Sequence, residues 1–323
     1  MSRKFLIITG FFSFLALFVQ WGFTGFSGLI GGIFQILSCG LIASLIVRML
    51  RGKDISFRAN FIRSTLVFAS VIGFFSGILL LFIAYQNTFP AAVGKVILTN
   101  GDKNIVVYQM SHIATPAFYA QVKNGITELA ASGYTIYAEG VRPGTPENQE
   151  RFDKLLGIKM TKTLYENFSS LFGLISQDDS IYAEVATGSL QNVDISLDDI
   201  MNLIGTGAVV PESSPIDLEA EIAQLDASER GVLLAPFMRS MLNFFLRNNS
   251  SLDSLASGFS PEVFDVILHD RNAFIVKTLE ADTQKNIVLV YGAMHFQGIY
   301  DLLKTHDPKW KILSVESLYP YSF

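Results

Sequence analysis

Apolar residues dominate two long stretches near the N-terminus, and shorter apolar runs recur through the rest of the chain. Residues 5–47 and 64–94 contain no Asp, Glu, Lys or Arg. A membrane-spanning helix needs about 20 apolar residues, so the first stretch has room for two spans and the second for one. We therefore predict a membrane region at residues 1–86 with three transmembrane helices, at about 5–20, 28–47 and 65–85.

The basic residues that flank these spans predict their orientation. Arg3 and Lys4 precede the first span, and five more basic residues lie between the second and third, at positions 48, 51, 53, 58 and 63. Positive charge favours the cytoplasmic side, so we expect a multi-pass cell-membrane protein with a cytoplasmic N-terminus and residues 87–323 outside the cytoplasm. A cleaved signal peptide is the alternative for the first span, but no small-residue cleavage site follows Leu17 and a second span comes at once.

Two shorter apolar runs, at residues 104–112 and 286–295, share one pattern. Each begins at Asn, continues through β-branched residues to a Tyr, and has a His four residues after that Tyr. Apolar runs of this length are typical of strands buried on both faces, and helix-like sequence follows each His. The pattern predicts an imidazole at the carboxyl end of each strand, where ligands bind in open α/β sheets.

The remaining pattern completes an α/β domain at residues 87–323, with two related strand-loop-His-helix halves around a central sheet. A hairpin at Asn100-Gly101-Asp102 and a strand that ends at Glu139 are the clearest further signals. Residues 233–246 are strongly apolar, which favours a buried helix; the alternatives are a wall for an apolar ligand or a helix that leans on the bilayer. The other predicted elements are strands at 95–99, 105–108, 134–138, 181–185 and 311–315 and helices at 116–131, 146–156, 260–280 and 297–304.

Charge and cysteine content exclude several functions for this domain. The first 86 residues hold seven of the 24 basic and one of the 29 acidic residues, which leaves 17 basic and 28 acidic residues beyond them. An acidic domain is a poor partner for nucleic acid or anionic lipid. The single cysteine, Cys39, lies in the second predicted span, so the outer domain has neither disulfides nor thiolate chemistry.

Three residues predicted at strand ends carry the candidate chemistry: His112, Glu139 and His295. Two imidazoles and one carboxylate are the ligand set of a hydrolytic metal site, with positions left open for water and substrate. We therefore expect a divalent metal, Mn²⁺, Co²⁺ or Zn²⁺, although Glu139 can instead serve as a general base beside it. The sequence has no G-x-G-x-x-G after a strand, P-loop, H-E-x-x-H or G-x-S-x-G motif.

At these residues the chain resembles the TraB/GumN group of the wider Tiki-like superfamily, over roughly residues 95–315. The signature of that group is two G-x-x-H motifs in related halves, with a Glu after the strand that follows the first motif. The second motif is matched by Gly292 and His295 with Gly298 beyond them, whereas Gln109 stands where the first motif has Gly. Further likenesses are Glu139 with Arg142, the run Asp270-Arg271-Asn272, and the segment Asn192-Val-Asp194.

The resemblance implies a membrane-anchored, metal-dependent peptidase or related hydrolase that acts outside the cytoplasm on a peptide or a secreted protein. In that interpretation, Arg271, Asn272 and Arg142 stabilise developing negative charge or orient the ligands, unless they only form a buried ion-pair network. Asp194, Gly292 and Gln109 are expected to contact the residues of the site rather than the metal itself.

Three alternatives to that function stay open. The first is sequestration of a peptide or another small ligand without turnover, which the Gln109 departure favours. The second is a metal-free His/Glu ester hydrolase. The third is a purely structural outer domain. The sequence identifies neither the substrate nor the oligomeric state.

Overall fold

The computed structural model describes residues 3–51, 56–161, 163–186, 188–205, 208, 214–224, 231–248 and 261–322. The chain forms two compact units, one of Met1–Phe89 with Ala223–Leu242 and one of Pro90–Ile222 with Asn243–Phe323. The described helices are α1 (Arg3–Arg51), α2 (Phe57–Thr88), α3 (Pro116–Ala131), α4 (Pro146–Leu156), α5 (Leu164–Leu171), α6 (Leu197–Ile204), α7 (Leu218–Gln224), α8 (Leu234–Arg247), α9 (Pro261–Asp265), α10 (Arg271–Ala281) and α11 (Phe296–His306).

The second unit is built on a six-stranded, mostly parallel sheet in the order β6-β4-β7-β2-β1-β8. Its central pairs β4–β6, β4–β7 and β2–β7 are parallel, whereas β1 runs antiparallel to β2 and β8. The strands are β1 (Val93–Thr99), β2 (Asn104–Met110), β3 (Ile113–Ala114), β4 (Thr135–Ala138), β5 (Ile175–Ser176), β6 (Leu190–Asn192), β7 (Asn286–Gly292) and β8 (Lys311–Leu318), of which β3 and β5 form a separate pair. The predicted α/β class is confirmed.

Both faces of this sheet are covered by helices. The first face carries Val106, Val288 and other even-numbered residues of β2 and β7, which pack against Val122 and Ile126 of α3. The opposite face packs against Ile275 of α10 and further residues of α10 and α11. Because the central strands are buried on both sides, their sequences are continuously apolar rather than alternating.

The helices that flank the sheet begin at the signals that the sequence supplies. Thr115 and Thr145 accept backbone bonds at the starts of α3 and α4, and each is followed by a proline in the first turn. Ser196 and Asp199 form a capping box at the start of α6. These caps give α3 and α4 the predicted bounds, 116–131 and 146–156.

One expectation for the middle of the chain was wrong. Residues 181–185 do not form a strand, because Asp179–Tyr182 is a short 3-10 helix. The helix expected at 260–280 is continuous over the described residues 261–281, with a π-helical turn at Val266–Asp270 between α9 and α10. A π turn adds one residue to the helical register and is frequent at functional sites.

The first unit contains α1 and α2. Among the described residues, these two helices are long and apolar enough to cross a membrane, and they leave large side chains such as Phe34 (73% exposed) and Leu81 (72% exposed) uncovered. The backbone of α1 is non-helical at Thr24 and Gly25, between the first two predicted spans. A surface this apolar is typical of membrane contact.

Candidate functional site

The carboxyl ends of β4 and β7 bring Glu139 and His295 together. The two strands are parallel neighbours, with Ala138 in register with Val290, and the Glu139 amide donates to the Val290 carbonyl at 2.9 Å. Glu139 follows β4 directly, and His295 ends a short 3-10 turn after β7. The Glu139 Oε1 and His295 Nε2 atoms are 3.7 Å apart.

Arg271, the first residue of α10, lies at the centre of the cluster. Its Nη2 donates to Glu139 Oε1 at 2.8 Å and to Asp194 Oδ2 at 2.5 Å, and its Nε donates to Asp194 Oδ1 at 3.1 Å. Its Nη1 lies 3.4 Å from His295 Nε2. Among the described residues, these contacts use four of the five N–H groups of the guanidinium, so one N–H remains for a further acceptor.

Asp194 anchors the guanidinium from the buried side. Its side chain is fully buried and accepts bonds from the Gly140 and Ile195 amides and from the Tyr291 hydroxyl. Burial raises the pKa of Tyr291, so that hydroxyl stays protonated as a donor. Burial alone lowers the pKa of Arg271, but the bond to Asp194 and the nearby carboxylates outweigh it, so the pKa is raised and the charge is kept.

His295 is held as a neutral imidazole with one defined tautomer. Its Nδ1 is 2.8 Å from Asn272 Oδ1, and because a carbonyl oxygen only accepts, Nδ1 carries the proton and Nε2 keeps its lone pair. Burial lowers the pKa of His295 to about 4, and the positive charge of Arg271 contributes to that lowering. An unprotonated nitrogen therefore faces Glu139 and Arg271 at neutral pH.

The two glycines around His295 make room for its partners. A Cβ on Gly292 would lie 3.1 Å from Glu139 Oε2, the same oxygen to which the Gly292 amide donates. A Cβ on Gly298 would lie 2.3 Å from Asn272 Nδ2. In the spacing G-x-x-H-x-x-G, the first glycine thus leaves room for the Glu139 carboxylate. The last glycine leaves room for the Asn272 amide, which orients His295.

His112, the other repeated histidine, has a different environment. His112 is exposed, and the centroid of its ring lies 5.0 Å from that of the Tyr165 ring. The structure thus leaves one imidazole buried in the cluster and the other exposed.

The two repeated runs differ in length by one residue before the Tyr. The strands align from Asn104 with Asn286, which puts Tyr108 beside Val290 and Gln109 beside Tyr291. The second run is one residue longer before its Tyr, and a one-residue shift moves a side chain to the other face of a sheet. Tyr108 and Tyr291 accordingly lie in opposite cores.

The donor set expected for a divalent metal is only partly brought together. Among the residues that the structure describes, no group of three or more His, Cys, Asp or Glu side chains could hold one. The space between Glu139 and His295 is bordered by the Arg271 guanidinium, which contacts both. The guanidinium is thus a fixed positive charge beside both side chains. Glu139 and His295 of the expected metal set are brought together and His112 is exposed, so a metal at these three residues stays a prediction.

Two residues expected at the site lie elsewhere. The Arg142 side chain is 55% exposed, with Asp199 3.8 Å away, and it makes none of the contacts of the cluster. The Gln109 side chain accepts a bond from the Gly94 amide of β1 at 2.8 Å, so it satisfies the sheet rather than the loop before His112. Arg271, Asn272, Asp194 and Gly292 are brought together with Glu139 and His295, as expected.

Two tyrosines of the region were not anticipated. Tyr291 holds Asp194, and its place in the repeated pattern was the available signal. The Tyr182 hydroxyl is buried and has no hydrogen-bond partner among the described residues. Burial, and then the charge of Glu139, raise the pKa of Tyr182. No sequence signal marked it, because its segment was expected to be a strand.

No protein-family model, curated protein or solved structure matches the chain. The geometry of the cluster and the resemblance in its motifs are thus the basis for a functional proposal.

Proposed function

We propose that the protein is a membrane-anchored hydrolase that cleaves a peptide or a related carbonyl substrate at the Glu139–Arg271–His295 cluster, without a metal. The observation that carries the proposal is the buried neutral imidazole of His295, whose unprotonated Nε2 lies beside a carboxylate and a guanidinium. Groups that accept a proton and groups that stabilise an oxyanion are thereby within 4 Å of one another. The choice of a peptide rests on the resemblance to the Tiki-like superfamily.

In the proposed reaction, Glu139 is the general base. Its side chain is 11% exposed, and it takes a proton from a water molecule whose oxygen attacks the substrate carbonyl carbon. The remaining N–H of Arg271 donates to the oxyanion of the tetrahedral intermediate. When the carbon–nitrogen or carbon–oxygen bond breaks, Glu139 returns the proton to the leaving group. His295 Nε2 accepts a hydrogen bond from Arg271 Nη1 at 3.4 Å and so holds the guanidinium in place.

Asp194 and Asn272 act as positioning residues. Asp194 binds Arg271 through both of its oxygens, which fixes the plane of the guanidinium. Asn272 fixes the tautomer of His295. Neither residue needs to touch the substrate, so their loss would lower turnover more than substrate binding.

Membrane attachment is part of the proposal. We infer three spans, because the backbone of α1 breaks at Thr24 and Gly25. The stretches on either side of the break lie side by side: a Cβ placed on Gly32 would be 3.0 Å from Gln20 Cγ. In a continuous helix, residues 20 and 32 would be about 18 Å apart along the axis. With three spans, the basic flanks support a cytoplasmic N-terminus and an external second unit.

The test is cleavage of a peptide library by the full chain in lipid nanodiscs, followed by mass spectrometry. We expect time-dependent products from the parent and a loss of about 100-fold or more in Glu139→Gln. Glu316→Gln is the matched control, because that carboxylate is 54% exposed and pairs only with Lys95 among the described residues. It should leave the rate unchanged.

Two outcomes would contradict the proposal. Peptides that bind and are recovered intact would indicate sequestration, the alternative in which the same charged cluster only holds a ligand. Equal cleavage by the parent and Glu139→Gln would show that the base is another residue.

A further inference from the structure

The break in α1 leaves two backbone carbonyls that a distant segment satisfies. Thr24 and Gly25 are non-helical, so the Gly22 and Phe23 carbonyls lie at the end of a helical stretch, where intrahelical donors run out. The Leu233 amide donates to the Gly22 carbonyl at 2.6 Å, and the Gly231 amide donates to the Phe23 carbonyl at 2.9 Å. Residues 231–242, here named the docking segment, thus cap the break.

Two glycines allow the close approach. A Cβ on Gly22 would lie 2.4 Å from Leu233 Cδ1, and a Cβ on Gly231 would lie 2.2 Å from the Gly22 carbonyl oxygen. Beyond the backbone contact, the Phe237 ring meets the Phe23 ring edge to face at 5.4 Å. The docking segment is therefore packed onto α1 through backbone and aromatic contacts together.

Large apolar side chains remain uncovered around this contact. Trp21 is 41% exposed, Phe26 is 71% exposed and Val232 is 64% exposed. Trp is enriched where a span meets the membrane–water interface, and the break separates two stretches that are each long enough to span. At that level the two amides of the docking segment pair carbonyls that the break would otherwise leave to water or lipid headgroups.

We propose that the docking segment lies in the membrane interface, with lipid as the partner of Val232 and of the exposed residues beside the break. Lipid is favoured over a second protein because these residues continue the exposed apolar surface of α1. The inference rests on the proposed membrane anchoring. It adds that the anchor includes a segment more than 140 positions beyond the last span in the sequence.

Depth-dependent quenching tests the inference in the full chain. A single cysteine that carries an environment-sensitive fluorophore is placed at position 232 in a Cys39→Ser background, in phosphatidylcholine vesicles with spin labels near the headgroup or near the chain end. We expect the headgroup-level quencher to reduce the fluorescence at Val232→Cys about twofold or more relative to Val315→Cys. Val315 is a matched control, since it is 62% exposed on β8 in the other unit.

A third position separates the inference from the anchoring. Phe34→Cys, near the middle of the second predicted span, should be quenched by the chain-end label. Quenching at position 34 without quenching at 232, or equal quenching at 232 and 315, would overturn the interfacial segment and leave the anchor intact. Absence of quenching at 34 would overturn both.

A second variant tests the docking geometry. Gly231→Leu, added to Val232→Cys, should reduce the quenching at position 232, because its side chain meets the Gly22 carbonyl. Unchanged quenching in that variant would contradict the capping contact.

Discussion

Replacement of Arg271 by methionine removes the only described cation that pairs with Asp194 and Glu139. Asp194 is fully buried and Glu139 is 11% exposed, so Arg271→Met leaves two carboxylates together without a counter-charge. Removal of one partner from a buried ion pair costs about 3–5 kcal/mol. Because Asp194 keeps two amides and the Tyr291 hydroxyl, we expect the lower end, about 3 kcal/mol.

The same structure predicts how far a second substitution restores stability. Asp194→Asn removes one of the two stranded charges, so the double variant should be more stable than the sum of the single losses indicates, by about 1 kcal/mol or more. An exposed cation provides the control. Arg142→Met should change the free energy of unfolding by less than about 0.5 kcal/mol.

Trp310 provides the assay. It is 4% exposed in the core between the sheet and α10–α11, and in a Trp21→Phe background it is the only tryptophan. Guanidinium unfolding of the full chain in detergent, followed by Trp310 fluorescence, measures the second unit. A loss for Arg271→Met no larger than that for Arg142→Met, or strict additivity with Asp194→Asn, would refute the account of the buried cluster.

Two further predictions concern His295 and its orientation. Gly298→Ala should push Asn272 away from His295 and lower turnover by about 10-fold. Gly31→Ala, where a Cβ meets nothing within 4 Å, should leave turnover unchanged. Equal turnover rates for the two variants would contradict the role of Asn272 in orienting His295. The His295 pKa is lowered to about 4 from about 6.5 in an unfolded chain. Between these values only the unfolded state takes up the proton, so stability rises with pH from about 4 to 6.5, by at most about 3 kcal/mol. His295→Gln should show a smaller rise by Trp310 fluorescence; an identical rise would assign the effect to other groups.

The sequence predicted the elements whose signals are local. A capping Thr followed by Pro defines α3 and α4, and β2 and β7 are recognisable as buried strands because they are apolar throughout. Glu139 and His295 were placed correctly at one sheet edge because parallel strands share that edge.

The parts that the sequence did not predict depend on register and on distant contacts. The repeated His pattern suggested equivalent roles, but the extra residue before Tyr291 puts the two Tyr side chains on opposite faces, and His295 is buried whereas His112 is exposed. The π turn at Val266–Asp270, which precedes Arg271 and Asn272, has no signal in the helical pattern. Gln109 was expected to support the site, because nothing in the sequence indicates its bond to Gly94.

The Glu139–Arg271–His295 cluster is proposed to hydrolyse its substrate without a metal. The most direct measurement is the turnover rate of the full chain in nanodiscs before and after exhaustive chelation, with the metal content of the same sample determined by mass spectrometry. We predict an unchanged rate and far less than one metal ion per chain. A rate that is lost on chelation and restored by Mn²⁺, Co²⁺ or Zn²⁺ would contradict the claim and return the chemistry to a metal-activated water.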